Sequence, residues 1–427
     1  MNTLTQWFTE RAPGLGVAYR KHMTEYYAPK NFNVMYYFGS LALLVLVNQI
    51  VTGIFLTMFY SPSSAGAFDS VQYIMRDVHW GWLVRYMHVT GASMFFIVIY
   101  LHMFRGLMYG SYKKPRELVW LLGMLIFLAL MAEAFMGYVL PWGNMSFWGA
   151  KVIITLFSAI PLIGHQLVSW IMGTLAVPGD ATLNRFFALH VVALPLVLLL
   201  LVVLHLGALH EVGSNNPDGV EIKKHKGPDG HPLDGIPFQP YYTLKDLVGV
   251  GVFLGICAVI IFFVPTVGGF FLEHDNSIPA NDLVTPATIK PVWYFSPFYA
   301  MLRAIPSKGF GVLALLLSIV VLFLVPWLDR GKVKSIRYRG VGYKFALTVF
   351  AIVFVLLGTI GADVMPIWLT DIYGAGANAA QAVVSTNLLL ARILTVLYFL
   401  FFIFLWVYTF FGWEKTKPVP ERVTTHA

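Results

Sequence analysis

Four histidines hold the chemistry that this chain can offer. His190 and His205 lie fifteen positions apart in NRFFALHVVALPLVLLLLVVLHLGALH, and His88 and His102 lie fourteen apart in RYMHVTGASMFFIVIYLHMFRG. Both stretches are long and apolar enough to cross a membrane as helices. A rise of 1.5 Å per residue sets the imidazoles of each pair roughly 21–23 Å apart along the axis, and about 100° of turn per residue returns the second to within ~40–60° of the first. A lone histidine inside a membrane is ordinarily a hydrogen-bonded packing residue or a proton relay. Four of them, in two same-face pairs of nearly equal spacing, are hard to explain by packing. The gap within a pair is too wide for one metal ion, whose bonds to nitrogen run at about 2 Å. Two such helices side by side set imidazoles opposite each other at two depths, an arrangement that clamps two haems, each between one histidine from either helix. With both axial positions filled the iron has no vacant site, which suits electron transfer rather than oxygen binding. The single cysteine, Cys257, sits in an apolar run, so there is no C-x-x-C-H attachment and the haems are non-covalent, of b type.

The rest of the chain must position those residues. Its 427 residues are 58% hydrophobic and 12% charged, with mean hydropathy +0.71, the composition of a polytopic membrane protein. Eight apolar runs read as spans, at about 33–58, 79–107, 118–139, 186–208, 245–265, 309–328, 343–362 and 387–411. With alternating spans, 21 of the 29 Lys and Arg residues fall on one side, counting Arg105, Lys245 and Lys344 at the span ends. The positive-inside rule makes that side cytoplasmic and puts both termini there. The net charge of +8 therefore describes topology and not a nucleic-acid ligand. The N-terminal MNTLTQWFTERAPGLG lacks the apolar core that a cleaved signal peptide needs.

Glycines repeat the histidine spacing on neighbouring spans. Span one carries Gly39 and Gly53 and span three carries Gly123 and Gly137, each pair fourteen positions apart. A single glycine in a membrane helix is ordinarily there for close helix packing. Two pairs at this spacing also leave room for a flat macrocycle against the backbone. Spans one to four then form a four-helix bundle with two cofactors in its core. Arg85 lies three positions before His88 and Arg105 three after His102. Arginines at that depth need an anionic partner, either haem propionates or, by snorkelling, lipid headgroups.

In order along the chain, GWLVRYMH, GASMFF, GYVLPWGNMSFWGA, RFFALH, HEVGSNNPDG, PYYTLKDLVG and PVWYFSPFYAMLRAIPSK resemble the cytochrome b subunit of the cytochrome bc complex, a quinol:cytochrome c oxidoreductase. The resemblance runs from about Phe32 to the last span. It agrees with a low-potential outer haem at His88 and His190 and a high-potential inner haem at His102 and His205. The extra residue between His190 and His205, near Pro195, departs from the equal spacing of mitochondrial relatives and is similar to the shorter cytochrome b of photosynthetic complexes. A local π-bulge absorbs such a residue without losing either ligand.

The resemblance also implies two quinone sites. Tyr138, Gly149 and the helix after Met145 help line a quinol-oxidation pocket on the periplasmic side, together with Pro291, Trp293 and Tyr294. His210, Ser214 and Asp246 bound a quinone-reduction pocket beside the inner haem. Many family members carry glutamate where the segment Pro291–Val292–Trp293–Tyr294 has Val292. Valine accepts no proton, so that route passes to water or to a group among Tyr138, Tyr294, Asp275 and Glu273. The PVWY form points to a bacterial source. Between Leu140 and Arg185, SFWGAKVIITLF and HQLVSWIMG read as amphipathic helices on the outer surface. His225, His231, Asp363 and Arg392 are assigned no role.

The expectation is thus an all-α polytopic membrane protein with eight transmembrane helices. Residues 1–210 form the dihaem four-helix bundle, 211–244 a cytoplasmic loop, and 245–427 a C-terminal four-helix membrane domain that completes the quinol-oxidation pocket. The resemblance implies an enzyme of the bacterial inner membrane that oxidises quinol outside, passes electrons through two bis-histidine haems and reduces quinone inside, contributing to proton translocation by a Q-cycle. It implies a Rieske-type iron–sulfur subunit, a membrane-anchored c-type cytochrome and a homodimer of the complex as partners, since this chain has no cysteine cluster for an iron–sulfur centre. Two other readings use the same histidines: a dihaem membrane anchor of another quinone-linked oxidoreductase, and a secondary transporter with intramembrane proton relays. The paired spacings disfavour the transporter, and the eight spans with the PVWY segment disfavour the anchor.

Overall fold

The computed structural model describes residues 3–19, 25–174, 176–374 and 376–424. Eight of its helices are long and apolar enough to cross a membrane: α1 (Val34–Thr57), α2 (Gly81–Tyr109), α3 (Glu117–Val139), α4 (Asp180–Val212), α5 (Phe238–Phe263), α6 (Lys308–Leu328), α7 (Val341–Gly361) and α8 (Ala377–Phe410). In a bilayer the backbone has no water to bond, so an apolar run of this length closes its own hydrogen bonds as a helix. Every expected span coincides with one of these helices. Three begin earlier than hydropathy indicates, at Asp180, Phe238 and Ala377. The α8 extension, ANAAQAVVST, is rich in alanine, whose helix propensity does not depend on apolar content. Hydropathy marks the membrane slab, whereas helices run past it.

α1 packs along α2 and α3 along α4, while α5 lies against both α1 and α2. The two pairs close into a bundle with the histidine faces of α2 and α4 turned toward each other. Within α4, residues Leu189–Ala193 form a π-helical turn, and Pro195 sits in the first turn of the regular helix that follows, Leu194–Val212. Proline has no N–H for the carbonyl one turn before it, and a wider turn there re-registers the ladder. The inserted residue is absorbed beside His190, so fifteen positions of α4 cover the turn that fourteen cover in α2.

In the second half of the chain the short helix Ser296–Ala304 is the hub for α6, α7 and α8. Its Ala300, Met301 and Ala304 are buried. A methyl group at Gly361 of α7 would overlap the Ser296 backbone, so that approach requires glycine. The Trp120 indole of α3 donates to the Leu322 carbonyl of α6 at 2.8 Å, tying the halves together.

Segments that the charge count places on one side meet at one end of the molecule. Tyr27–Pro29 pairs antiparallel with Gly235–Pro237. Asp234 bonds Lys30 and Arg422, and Asp218 bonds Asn31, Arg337, Tyr338 and Thr424. Arg116 and Lys334 share Glu221, and Asp329 is held by Lys113, Arg339 and Tyr112. At the opposite end, Asn144–Leu156 and Gly164–Met172 form the two surface helices expected from sequence. The first of these buries Met145, Phe147, Trp148 and Ile154.

Candidate functional site

The four histidines face each other in two pairs. The ring centres of His88 and His190 lie 6.2 Å apart with planes at 88°, and those of His102 and His205 lie 6.4 Å apart with planes at 62°. An iron bonded to two imidazoles at about 2 Å sets their ring centres roughly 6.3 Å apart. Each imidazole also has a glycine beside it. A Cβ at Gly39 would stand 3.6 Å from His102, at Gly53 3.4 Å from His88, and at Gly123 3.3 Å from His205. A Cβ at Gly137 would overlap the His190 ring. The glycines of α1 serve the histidines of α2, and those of α3 serve α4. The shared period of histidines and glycines thus becomes one constellation repeated at two depths.

Hydrogen bonds orient the rings. His88 Nδ1 meets Thr52 Oγ1 at 2.9 Å, and His190 Nδ1 meets both the backbone carbonyl and the carboxylate of Glu133, each at 3.0 Å. His102 Nδ1 lies 3.3 Å from an Arg105 amino nitrogen, and Arg105 also covers the face of Tyr36 at 4.8 Å. Arg105 thus turns into the bundle instead of out to the headgroups, and its buried Nε has no hydrogen-bond partner among the described residues. An orphaned guanidinium nitrogen beside a histidine pair fits an anionic group such as a propionate.

A cavity of about 450 Å³ opens at the first pair, lined there by Gly53, Arg85, His88, Gly137 and His190. It continues without a break to Tyr138, Glu273, Val292, Trp293 and Tyr294. Several contacts stiffen this far wall. Tyr294 stacks on Phe96 at 4.0 Å, its carbonyl accepts from the Tyr100 hydroxyl at 2.5 Å, and the Trp293 indole donates to Ser93 at 3.1 Å. The Tyr138 hydroxyl donates to the Glu273 carboxylate. Burial pushes the Glu273 carboxyl up from its ordinary pKa, Asp275 adds to the rise, and the Tyr138 hydrogen bond and Lys290 oppose it. Val292 is buried in the wall, so of the groups considered for the missing acid Glu273 and both tyrosines reach the cavity, and Asp275 is not among its lining residues. Gly149 and Pro291 are not in the lining either: a Cβ at Gly149 would stand 3.7 Å from the Tyr138 ring, and Pro291 leads into the segment.

At the other end His210 stacks on Tyr26 with ring centres 4.3 Å apart, and the Tyr26 hydroxyl is 2.8 Å from Ser214 Oγ. Asp246 faces Ser40 of α1, the neighbour of Gly39. The structure thus gathers His210 and Ser214 around Tyr26 and sets Asp246 on the α1 side, near the His102 glycine.

With this geometry in view, comparisons with known proteins agree. The family model described as Cytochrome b/b6/petB matches residues 23–213, and Cytochrome b(C-terminal)/b6/petD matches residues 279–372. The chain is 55% identical over 429 residues to the protein named cytochrome b of Allochromatium vinosum, covering 98% of each. The chain belongs to the cytochrome b/b6 family. A protein of Bradyrhizobium diazoefficiens named cytochrome b/c1 is 44% identical across 99% of this chain and 57% of its own length. A solved chain of a hyperthermophilic respiratory complex III superposes with a TM-score of 0.83 at 37% identity, covering 96% of this chain and 99% of that one. Family membership implies haem binding, and both histidine pairs have the separation and backbone clearance that haem needs.

Three residues escaped sequence reasoning. Tyr26 lies before the first span, where no periodicity marks it, and Thr52 reads as an ordinary span residue. Glu133 did carry a signal, because a carboxylate in the middle of an apolar helix requires a partner.

Proposed function

We propose that this chain is the dihaem cytochrome b of a bacterial respiratory quinol:cytochrome c oxidoreductase. His88 and His190 hold the outer haem and His102 and His205 the inner one. Quinol is oxidised in the cavity bounded by Tyr138, Glu273, Trp293 and Tyr294, on the periplasmic side, and quinone is reduced on the cytoplasmic side near His210, Ser214 and Asp246. One electron from each quinol leaves through a Rieske-type iron–sulfur subunit to a membrane-anchored c-type cytochrome, within a homodimeric complex. The relatives support such partners: one is named a cytochrome b/c1 and another belongs to a respiratory complex III. Both termini are cytoplasmic, consistent with the basic, ion-paired end of the bundle.

The observation that carries this reading is the repeated imidazole pair, 6.2 and 6.4 Å between ring centres, with one pair open to the cavity that runs on to Tyr138, Glu273, Trp293 and Tyr294. Haem, when bound, supplies a one-electron carrier at each of two depths, roughly 20 Å apart, within a hydrocarbon core of ~30 Å. The residues of the chain do the rest. Trp293 and Tyr294 present two aromatic rings set edge to face at 80°, held in place by Phe96, Tyr100 and Ser93. Glu273, bonded to Tyr138, stands ready to take a quinol proton, a task for which Val292 has no atom. At the cytoplasmic side His210 and Asp246 can supply protons to a reduced quinone, and the Ser214 hydroxyl can bond its carbonyl. Purified protein is expected to show two low-spin b-type transitions in a reduced-minus-oxidised spectrum, both filled on adding quinol with its partners present. A spectrum without paired transitions would refute the reading.

A further inference from the structure

Resting on the assignment of His190 as an axial ligand, we propose that Glu133 is a positioning residue for the outer haem and holds its potential down through a carboxylate–histidine–iron relay. Among the described residues His190 is the one imidazole of the four set against a carboxylate, with Glu133 Oε1 at 3.0 Å from Nδ1. The corresponding atom of His88 meets a neutral hydroxyl, and that of His102 meets a guanidinium. His205 Nδ1 lies by the Val119 carbonyl without a well-formed hydrogen bond. Glu133 lines the same cavity, and its second oxygen is buried without a partner among the described residues. The contact made by its carboxylate is thus the one with the imidazole.

The chemistry follows from what an imidazole N–H does. A ligating histidine that donates its second N–H to a carboxylate has its tautomer fixed and becomes a more basic ligand. A more basic ligand and a nearby negative charge both stabilise ferric over ferrous iron and lower the midpoint potential. The Glu133 backbone carbonyl shares the same proton at 3.0 Å. Removing the side chain charge therefore leaves the ring oriented and changes chiefly its basicity. This predicts a shifted potential with haem retained, whereas a merely structural residue would lose haem without shifting anything.

The test is a redox titration of the whole complex followed optically, with the wild type compared to Glu133→Gln and Glu133→Asp. Glu133→Gln should keep both haems and shift the outer equilibrium at least tenfold toward the reduced form, about 59 mV upward for one electron. The inner transition should stay in place, Glu133→Asp should restore most of the low potential, and the g values of the oxidised outer haem should move with the charge. A Glu133→Gln protein with both haems and an unmoved outer midpoint would overturn the proposal, and so would an equal shift of both haems. If Glu133→Gln loses the outer haem, Glu133→Asp decides: haem bound at the wild-type potential supports the relay, and haem absent or bound at a raised potential overturns it. A wild-type spectrum lacking two transitions would instead sink the histidine assignment.

Discussion

The pairs His88/His190 and His102/His205 have nearly the same separation, 6.2 against 6.4 Å, and each imidazole has a glycine beside it, yet the charged groups in contact with their rings differ in sign. The first pair has the Glu133 carboxylate on one ring, and the second has the Arg105 guanidinium beside one ring. A negative charge favours oxidised iron and a positive charge favours reduced iron. The periodic part of the design therefore makes two equivalent cofactor seats, and single aperiodic residues make them unequal. Under the proposed haem assignment, that inequality would give electrons a downhill direction from the cavity end to the basic end. The seats also differ in access: the first shares its cavity with Tyr138, Glu273 and Tyr294, and the second lies near the stacked His210 and Tyr26.

The largest expected effect breaks one seat and spares the other. His88→Leu should abolish the outer haem transition and leave the inner one, as read by a reduced-minus-oxidised spectrum; two intact transitions would end the assignment. Gly137→Val against Gly39→Ala sharpens the same contrast through packing. The first forces side-chain atoms into the His190 ring, and the second adds only an ordinary contact at 3.6 Å. Overpacking of this kind costs about 1–3 kcal/mol, enough to empty the outer seat while Gly39→Ala keeps both haems.

Access comes next. Glu273→Gln should slow quinol oxidation by about 10²-fold or more, the scale of a lost general base. Because burial raises the Glu273 pKa, its base form fills as pH rises through values above the ordinary carboxylate range. Wild-type turnover should therefore climb over that window. The limb should vanish in Glu273→Gln, and a second acid installed as Val292→Glu should shift it. An identical pH–rate profile in all three proteins would place both positions outside the proton route.

Smaller effects remain at the basic end. Arg105→Gln should lower the inner midpoint by about tenfold in equilibrium constant, the reverse of the effect expected from Glu133→Gln, as seen in the same titration. Burial works against ionisation of Glu221, but Arg116 and Lys334 outweigh it and bring the pKa down to about 2. The stability it contributes is present above the unfolded carboxylate pKa of about 4.3 and lost as pH falls toward 2. Glu221→Gln should cost roughly 2–3 kcal/mol at neutral pH, measured as earlier thermal unfolding, with neither haem potential moved.

The sequence by itself determined the eight spans, the pairing of histidines and glycines at a common period, and the π turn in α4. These are properties of single helices, and a helix's pitch turns residue spacing directly into position. What only the tertiary structure decided is which groups meet across helices. Nothing in the spacing pairs Tyr138 with Glu273 across 135 positions or brings Tyr26 to His210. The charge on the first seat was decided there too, since Glu133 meets His190 only through the packing of α3 against α4, whereas Arg105 reaches His102 along its own helix. Such contacts depend on how far each helix is rotated and shifted against its neighbours, a rigid-body quantity that no one segment encodes.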